Sequence, residues 1–307
     1  MRIEILLSTY NGEKYLRELL DSLVEQDYDD YHITIRDDGS SDSTPEIIKE
    51  YEDKYRELIT WLDTGDNLGY PDCFWYLLEH AQKADMYAFC DQDDVWKKDK
   101  LKSCSLKCKD RYKEEPILYV HDYEVSDGDL NIYDKHRLSD EGFKKDYPYT
   151  TVFYVMTQGF TMIINDKLRR RILSDKLKGR DIAHDRWTFW CGLFAGDIIY
   201  DDNLLAIYRR HEASVTETGK GVPFLIKDWW TNDVVGDRLA NWCRVARYFA
   251  KCYHEDMDKT VLRRWMLISG GGKGLFRYFL RLFLPMKLKP SVAGEIVLRM
   301  CFLLNKK

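Results

Sequence analysis

The sequence contains no Gly-x-Gly-x-x-Gly after its first apolar run and no Gly-Lys-Ser/Thr phosphate loop. It therefore lacks the two common glycine devices by which a backbone cradles nucleotide phosphates, and a dinucleotide-binding fold and a P-loop enzyme are both disfavoured. Gly270-Gly271-Gly272 has no strand–loop–helix setting and reads as a break. The eight cysteines, at 73, 90, 104, 108, 191, 243, 252 and 301, include no Cys-x-x-Cys pair. In a chain of 307 residues that pattern argues for reduced thiols rather than a disulfide framework. Cys104 and Cys108 share a helical face without further ligands nearby and are read as packing residues. No stretch reaches the ~18 uninterrupted apolar residues of a membrane span. The opening Met1-Arg2-Ile3-Glu4-Ile5-Leu6-Leu7 interrupts its apolar run with Glu4 and lacks a signal-peptide core. These absences predict a cytoplasmic protein. No internal repeat or low-complexity tract occurs.

A formal net charge of −5 argues against a nucleic-acid partner. That charge is unevenly spread. From Val261 to Lys307, ten Lys and Arg face the single acid Glu295, a balance of +9 that leaves −14 for the rest. One end of the chain thus suits an anionic partner. Within it, Gly274 to Leu284 surrounds Arg277 and Arg281 with aromatic and aliphatic bulk, and Lys273 precedes them at the same spacing of four. Such a helix can lie in a lipid headgroup region, and Ile296 to Leu304, with Arg299, Lys306 and Lys307, offers a second contact. A homodimer contact, or packing on the rest of the chain, is the other reading of these segments.

Apolar runs and helical patterns alternate through the first half. Ile3 to Leu7, Tyr31 to Ile35, Leu58 to Leu62 and Met86 to Cys90 read as strands. Tyr15, Leu16, Leu19, Leu20, Leu23 and Val24 fall at helical spacing, and Ser43-Thr44-Pro45-Glu46 is a helix start. This rhythm predicts an α/β fold with a mostly parallel central sheet and helices on both faces. Three loops would then end on one edge of that sheet. They carry Thr9 and Asn11, then Asp37 and Asp38, then Asp91 and Asp93. Ligands bind outside the carboxyl ends of such strands. In Asp91-Gln92-Asp93-Asp94 the clustered carboxylates repel one another unless a cation sits between them, and a hard divalent ion is the usual answer. Carboxylates cannot cradle a diphosphate directly, whereas ribose and base edges offer donors that they accept. An acidic turn ahead of the helix near Lys98 is the plainer alternative.

The succession Ser8-Thr9-Tyr10-Asn11-Gly12, Asp37-Asp38-Gly39-Ser40-Ser41-Asp42, Asn67-Leu68-Gly69 and Asp91-Gln92-Asp93-Asp94-Val95-Trp96 resembles the family 2 glycosyltransferases of GT-A fold. It is most similar to their bacterial rhamnosyltransferase-like branch, over roughly residues 1–220. The resemblance implies an inverting transfer from a nucleotide-diphospho-sugar, with dTDP-rhamnose as first choice and a UDP-sugar as runner-up. It puts Thr9, Asn11, Asp38 and Asn67 on the donor nucleotide, Asp91 near the ribose and Asp93 on a metal. In Asp181-Ile182-Ala183-His184-Asp185-Arg186-Trp187, the acid that matches the family's catalytic base is Asp185, with His184 orienting it or touching the acceptor. Helix capping is the alternative for that acid. After the late strand Leu204 to Tyr208, His211 matches the residue that closes the metal site, as Mn2+ or Mg2+, and Arg209 or Arg210 faces the departing diphosphate. Gln158 and Gly159 border the acceptor pocket by the same comparison. Glu212-Ala213-Ser214-Val215 only partly matches the family's polar motif.

The resulting expectation is a catalytic domain over 1–220, split into a nucleotide-sugar half (1–115) and an acceptor half (116–220), and a helical, basic extension over 221–307. Asp127 to Tyr149 reads as an irregular polar loop on the acceptor side. The acceptor would be a growing cell-surface polysaccharide or lipid-linked glycan, met at the inner face of the membrane. A nucleotidyltransferase, or a glycan-binding module without catalysis, remains open on the residues alone.

Overall fold

The computed structural model describes residues 1–62, 66–139, 148–177, 179, 181–211, 231–232, 236–270 and 280–304. The chain divides into two compact units, Met1–Asp140 with Thr157–Glu212, and Glu141–Met156 with Ala213–Lys307. The expected boundary at residue 220 lies outside the described residues, as do Glu212-Ala213-Ser214-Val215 and Lys273 to Phe279.

The first unit opens with β1 (Ile3–Thr9), α1 (Leu16–Val24), β2 (Tyr31–Asp37), α2 (Thr44–Lys54), β3 (Ile59–Leu62), α3 (Asp72–His80) and β4 (Met86–Cys90). It continues through β5 (Val95–Trp96), α4 (Lys100–Cys108), β6 (Ile117–Ser126) and β7 (Ile132–His136). After a short helix of the other unit, α5 (Thr150–Phe153), come the 3-10 turn Gly159–Thr161, β8 (Met162–Asn165), α6 (Asp166–Leu173), α7 (His184–Ala195) and β9 (Asp197–Arg209). The strands form one sheet in the order β3-β2-β1-β4-β8-β6-β9-β5, with β7 paired to β6. Strands β3, β2, β1 and β4 are all parallel. Beyond β4 the sheet is mixed: β8 runs antiparallel to both β4 and β6, and β9 runs parallel to β6.

Alternation along β1 explains how both faces are covered. Ile3, Ile5 and Leu7 bury against Leu16, Leu19, Leu20 and Leu23 of α1, Ile47 and Ile48 of α2, and Leu101 and Cys104 of α4. The opposite face packs α3, where the Phe74 ring meets Phe89 of β4 at 6.2 Å. Glu4 lies on that face too and is fully buried. One oxygen of its carboxylate meets His32 at 2.9 Å and the Thr34 hydroxyl, so the acid inside the first apolar run is a polar seam between strands.

The second unit contains α5, α8 (Arg238–Cys252), α9 (Lys259–Ile268) and α10 (Val292–Leu304). Trp265 of α9 is fully buried and donates its indole N–H to the Ala246 carbonyl at 2.8 Å. Arg299, expected among the outward cations, instead turns inward. It pairs with Glu295 at 2.6 Å and donates to the carbonyls of Leu284 and Met286 at 3.0 and 3.1 Å. No helix of the described residues is long and apolar enough to cross a membrane.

Candidate active site

Parallel pairing carries three loops to one edge. Thr9 lies beside Asp37 and Leu7 beside Cys90, so β1, β2 and β4 end together. Two antiparallel steps through β8 turn β6 parallel to β4, and β9 follows β6. The carboxyl end of β9, with Arg209 to His211, therefore reaches the same edge, as does the Gly159–Thr161 turn ahead of β8.

The first two loops are tied to each other. The Thr9 hydroxyl donates to the Asp37 carboxylate at 2.8 Å, and Asp37 also accepts the Ser40 amide at 2.8 Å. Asn11, in the left-handed region at φ 48°, accepts the Ser41 amide at 2.8 Å. Asp38 accepts the amides of Leu68 and Gly69 at 2.8 and 2.7 Å and pairs with Arg36. It thereby draws the Asn67-Leu68-Gly69 loop over the end of β2. Thr9 and Asp38 are buried, and Asn11 is exposed.

The third loop carries most of the charge. Asp93 Oδ2 stands 2.9 Å from His211 Nε2, and both side chains are partly open to solvent. Burial first, then the charges of Asp93 and Asp185, push the Asp91 carboxyl up to about 7. Asp185, on α7, thus belongs to the same electrostatic cluster. Its carboxylate accepts the Arg186 amide at 2.6 Å, while Ala183, not Asp185, holds the N-cap position of α7. Asp94 is fully buried, accepts the Arg209 amide at 3.1 Å, and is pushed well above the carboxylate range by burial and by its acidic neighbours.

Arg209 braces the loop. Its guanidinium donates to the Asp93 carbonyl at 3.0 Å and the Gly128 carbonyl at 2.9 Å, pairs with Glu18 of α1, and lies 4.4 Å from the Tyr15 ring centre. The Tyr15 ring also packs against His211 at 4.7 Å. Glu18 and Gly128 carried no signal in the sequence, because each acts only through a partner far along the chain. The same holds for Gln92. Its carboxamide accepts the Tyr10 amide at 2.8 Å and donates to the Tyr10 carbonyl at 2.9 Å, mimicking a strand pair between two site loops. Gly12 makes room for it, since a Cβ there would stand 2.7 Å from the Gln92 carboxamide carbon.

Around the other side, His184 is buried in an aromatic cage. Its ring stacks on Phe74 at 4.0 Å and meets Phe89 at 5.0 Å and Tyr70 at 5.8 Å. Neither ring nitrogen has a hydrogen-bond partner among the described residues. Burial lowers the imidazole to about 4, so the ring is neutral near pH 7. Gly159 presses against it, while Gln158 stands half-buried beside that glycine and accepts the Thr161 hydroxyl at 2.7 Å through its carbonyl. The structure thus brings His184 and Gly159 together, and places Asp91, Asp93, Asp185 and His211 in one neighbourhood. It does not aim the Asp38 and Arg209 side chains away from internal partners.

Asp93 and His211 fit a divalent ion. Two donors ~2.1 Å from one octahedral centre stand about 3.0 Å apart, close to the 2.9 Å separation here. Imidazole with carboxylate is also a donor set that Mn2+ accepts. Among the described residues no group of three or more His, Cys, Asp or Glu is arranged around a metal position.

Comparison with known proteins agrees with this geometry. The sequence pattern of "Glycosyl transferase family 2" matches residues 4–171. The "dTDP-rhamnosyl transferase RfbG" of Shigella flexneri is 27% identical over 237 residues, covering 72% of this chain and 76% of the relative. Curated relatives from Mycobacterium tuberculosis and Nostoc are spanned over 59% and 66% of their length. Among solved structures, Staphylococcus aureus TarS with UDP-GlcNAc superposes with a TM-score of 0.61 at 18% identity, over 91% of this chain and 73% of that one. The mannosyltransferase PcManGT of Pyrobaculum calidifontis, solved with GDP-Man and Mn2+, gives 0.53 at 15% identity, over 100% and 88%. These likenesses show a GT-A fold.

Proposed function

Because the chain belongs to glycosyl transferase family 2 and is a glycosyltransferase, we propose that it moves a single sugar, with inversion, from a nucleotide-diphospho-sugar to a glycan hydroxyl. The observation that carries the proposal is the grouping of Asp91, Asp93 and His211 with Asp185 at the edge where β4 and β9 end. Thr9, Asn11, Asp38 and Asn67 shape the nucleotide side of the site. Asp38 does so by fixing the 67–69 loop and Thr9 by fixing Asp37. Asp91 takes the ribose.

Asp93 and His211 would hold Mn2+ or Mg2+, which would supply positive charge to offset that of the departing diphosphate. The chain's own residues do the rest. Asp185 accepts the proton of the acceptor hydroxyl as that oxygen bonds to the anomeric carbon. The bond from that carbon to the β-phosphate oxygen breaks, and the nucleoside diphosphate leaves with the electron pair. Neutral His184, held by Phe74 and Gly159, walls the acceptor side and keeps the first turn of α7 in place. Arg209 fixes the loop through the Asp93 carbonyl, which leaves the neighbouring Arg210 as the cation for the diphosphate.

The likeness to a dTDP-rhamnosyl transferase supports dTDP-rhamnose as the donor, and that to TarS with UDP-GlcNAc favours a UDP-sugar as the second reading. We assign the acceptor to a growing surface polysaccharide or lipid-linked glycan, handled at the inner membrane face, with residues 1–220 as the catalytic domain. A panel of nucleotide sugars tests the reading. One of them should raise the unfolding temperature and be turned over to its nucleoside diphosphate. Release of pyrophosphate from a nucleoside triphosphate, or no response to any nucleotide sugar, would overturn it.

A further inference from the structure

The second unit holds a cleft of about 420 Å3, within the size range of small-molecule sites. Leu239, Trp242, Val297, Leu298 and Tyr154 supply aromatic and aliphatic walls, and Lys289 crosses them. The Lys289 ammonium stands 5.4 Å from the Trp242 ring centre and 5.6 Å from that of Tyr154. Arg238 adds a second cation, 5.9 Å from the Trp242 ring, and no acid is among the described lining residues. Gly294 keeps the Lys289 stem close to α10, since a Cβ there would lie 3.4 Å from Lys289 Cβ and 2.9 Å from Ser291 Oγ. Lys289 also donates to the Phe153 carbonyl, a neutral partner that leaves its charge in place, so the ligand that suits both the apolar wall and the two cations is an anionic amphiphile.

The same helix bears an exposed apolar stripe. Val292, Ile296, Met300 and Leu303 are 79%, 58%, 44% and 47% exposed, and their spacing of four, four and three puts them on one side of α10. Val297, on the cleft side, is 38% exposed and joins the stripe to the cleft. We propose that this cleft is a binding site for one membrane lipid, whose alkyl chain lies along the apolar wall while its anionic head meets Lys289 and Arg238. The stripe of α10 rests in the headgroup–acyl boundary beside it. This deepens the membrane placement given above and is independent of the transfer chemistry.

The test uses the whole chain and soluble probes. Octyl, decyl and dodecyl phosphate, titrated below their micelle concentrations, should bind with affinity rising about fourfold per added CH2. Inorganic phosphate should give no binding, and dodecyl maltoside at least tenfold weaker binding than dodecyl phosphate. Lys289→Glu should erase the preference for phosphate over maltoside, with Arg238→Glu as the substitute if the first variant does not fold. Wild-type chain should sediment with vesicles of 30% phosphatidylglycerol in phosphatidylcholine, and the folded charge variant should not. Affinity independent of chain length, a preference for phosphate that survives in both charge variants, or a stable dimer that excludes the alkyl phosphates would each overturn the site. Donor binding measured in the same preparations keeps the two readings apart. Donor bound without alkyl phosphate removes the cleft alone, and alkyl phosphate bound without donor removes the transferase reading alone.

Discussion

Gly159→Ala is the smallest change that should disable the site without touching a charged group. A Cβ on residue 159 would stand 3.0 Å from His184 Cε1 and 3.2 Å from Cδ2, and closer still to Nε2. Ordinary carbon contacts begin near 3.5 Å, so ring and turn must separate by about 1 Å at the nearest atom. The ring has little room to retreat, because Phe74 covers one face at 4.0 Å and Phe89 lies at 5.0 Å. The displacement therefore passes into the first turn of α7, which carries Asp185. Overpacking of this kind costs about 1–3 kcal/mol, a fall in unfolding temperature of roughly 2–12 °C for a unit of this size. Misplacing a catalytic group by ~1 Å costs about a hundredfold in rate. Donor affinity should hold, since the nucleotide loops lie on β1, β2 and β4. The assay pairs a thermal melt with donor binding and acceptor-dependent turnover. In a His184→Ala background Gly159→Ala should cost little further stability, because the two side chains then no longer collide. Wild-type melting and turnover in Gly159→Ala, or the same stability loss from that change in both backgrounds, would refute the argument.

Asp185→Asn keeps the side-chain shape and removes the base. Donor binding should persist while turnover falls by ~10²-fold or more, whereas equal loss of both would mark a purely structural carboxylate. Excess chelator should stop transfer, and His211→Ala should raise the Mn2+ requirement by about tenfold or more; full activity in chelator would remove the assignment of Asp93 and His211. Lys100 gives a pH test. It is fully buried, donates to the Phe160 carbonyl at 2.7 Å, and is lowered by burial to about 7. Between pH 7 and 10.5 the unfolded chain holds this proton and the folded one does not, so its contribution makes stability rise with pH, by up to ~1.4 kcal/mol per pH unit. Urea midpoints at pH 7 and 9.5 should show a smaller rise in Lys100→Met than in wild type, and identical slopes would exclude a neutral buried lysine.

Local pattern made the parallel strands β1 to β4 readable. The five-residue run of β4 is buried at every position, and the acids that follow fall where a strand must leave the sheet. The mixed part of the sheet was harder, because polar residues there are satisfied by distant partners. Strand β6 runs beyond its apolar start, Ile117 to Val120, to Ser126 through His121 and Asp122. Asp122 tolerates burial because it accepts the Leu138 amide at 2.9 Å and the Tyr200 hydroxyl at 2.7 Å. The stretch from Asp127, read as irregular, contains the hairpin strand β7, which is largely exposed and so lacks an apolar alternation to betray it. Helix α7 begins only at His184, after Asp181, which has a left-handed φ of 52°. Asp38 was legible at the end of β2, but its double amide acceptance was not, since the loop it gathers begins almost thirty residues later.

The grip of Arg209 on Glu18 and on the Asp93 carbonyl also orders events in time. These contacts join the last strand of the first unit to its first helix across 191 residues. Long-range closure is slow, because the chain entropy must be lost before the contact is gained. On a ribosome, β1 to β4 can pair while the remainder is still being made, but the loop after β4 has no brace until β9 arrives. A nascent chain halted before Arg209 should therefore carry the parallel half of the sheet without a competent acidic loop, and donor binding should appear abruptly once the strand emerges.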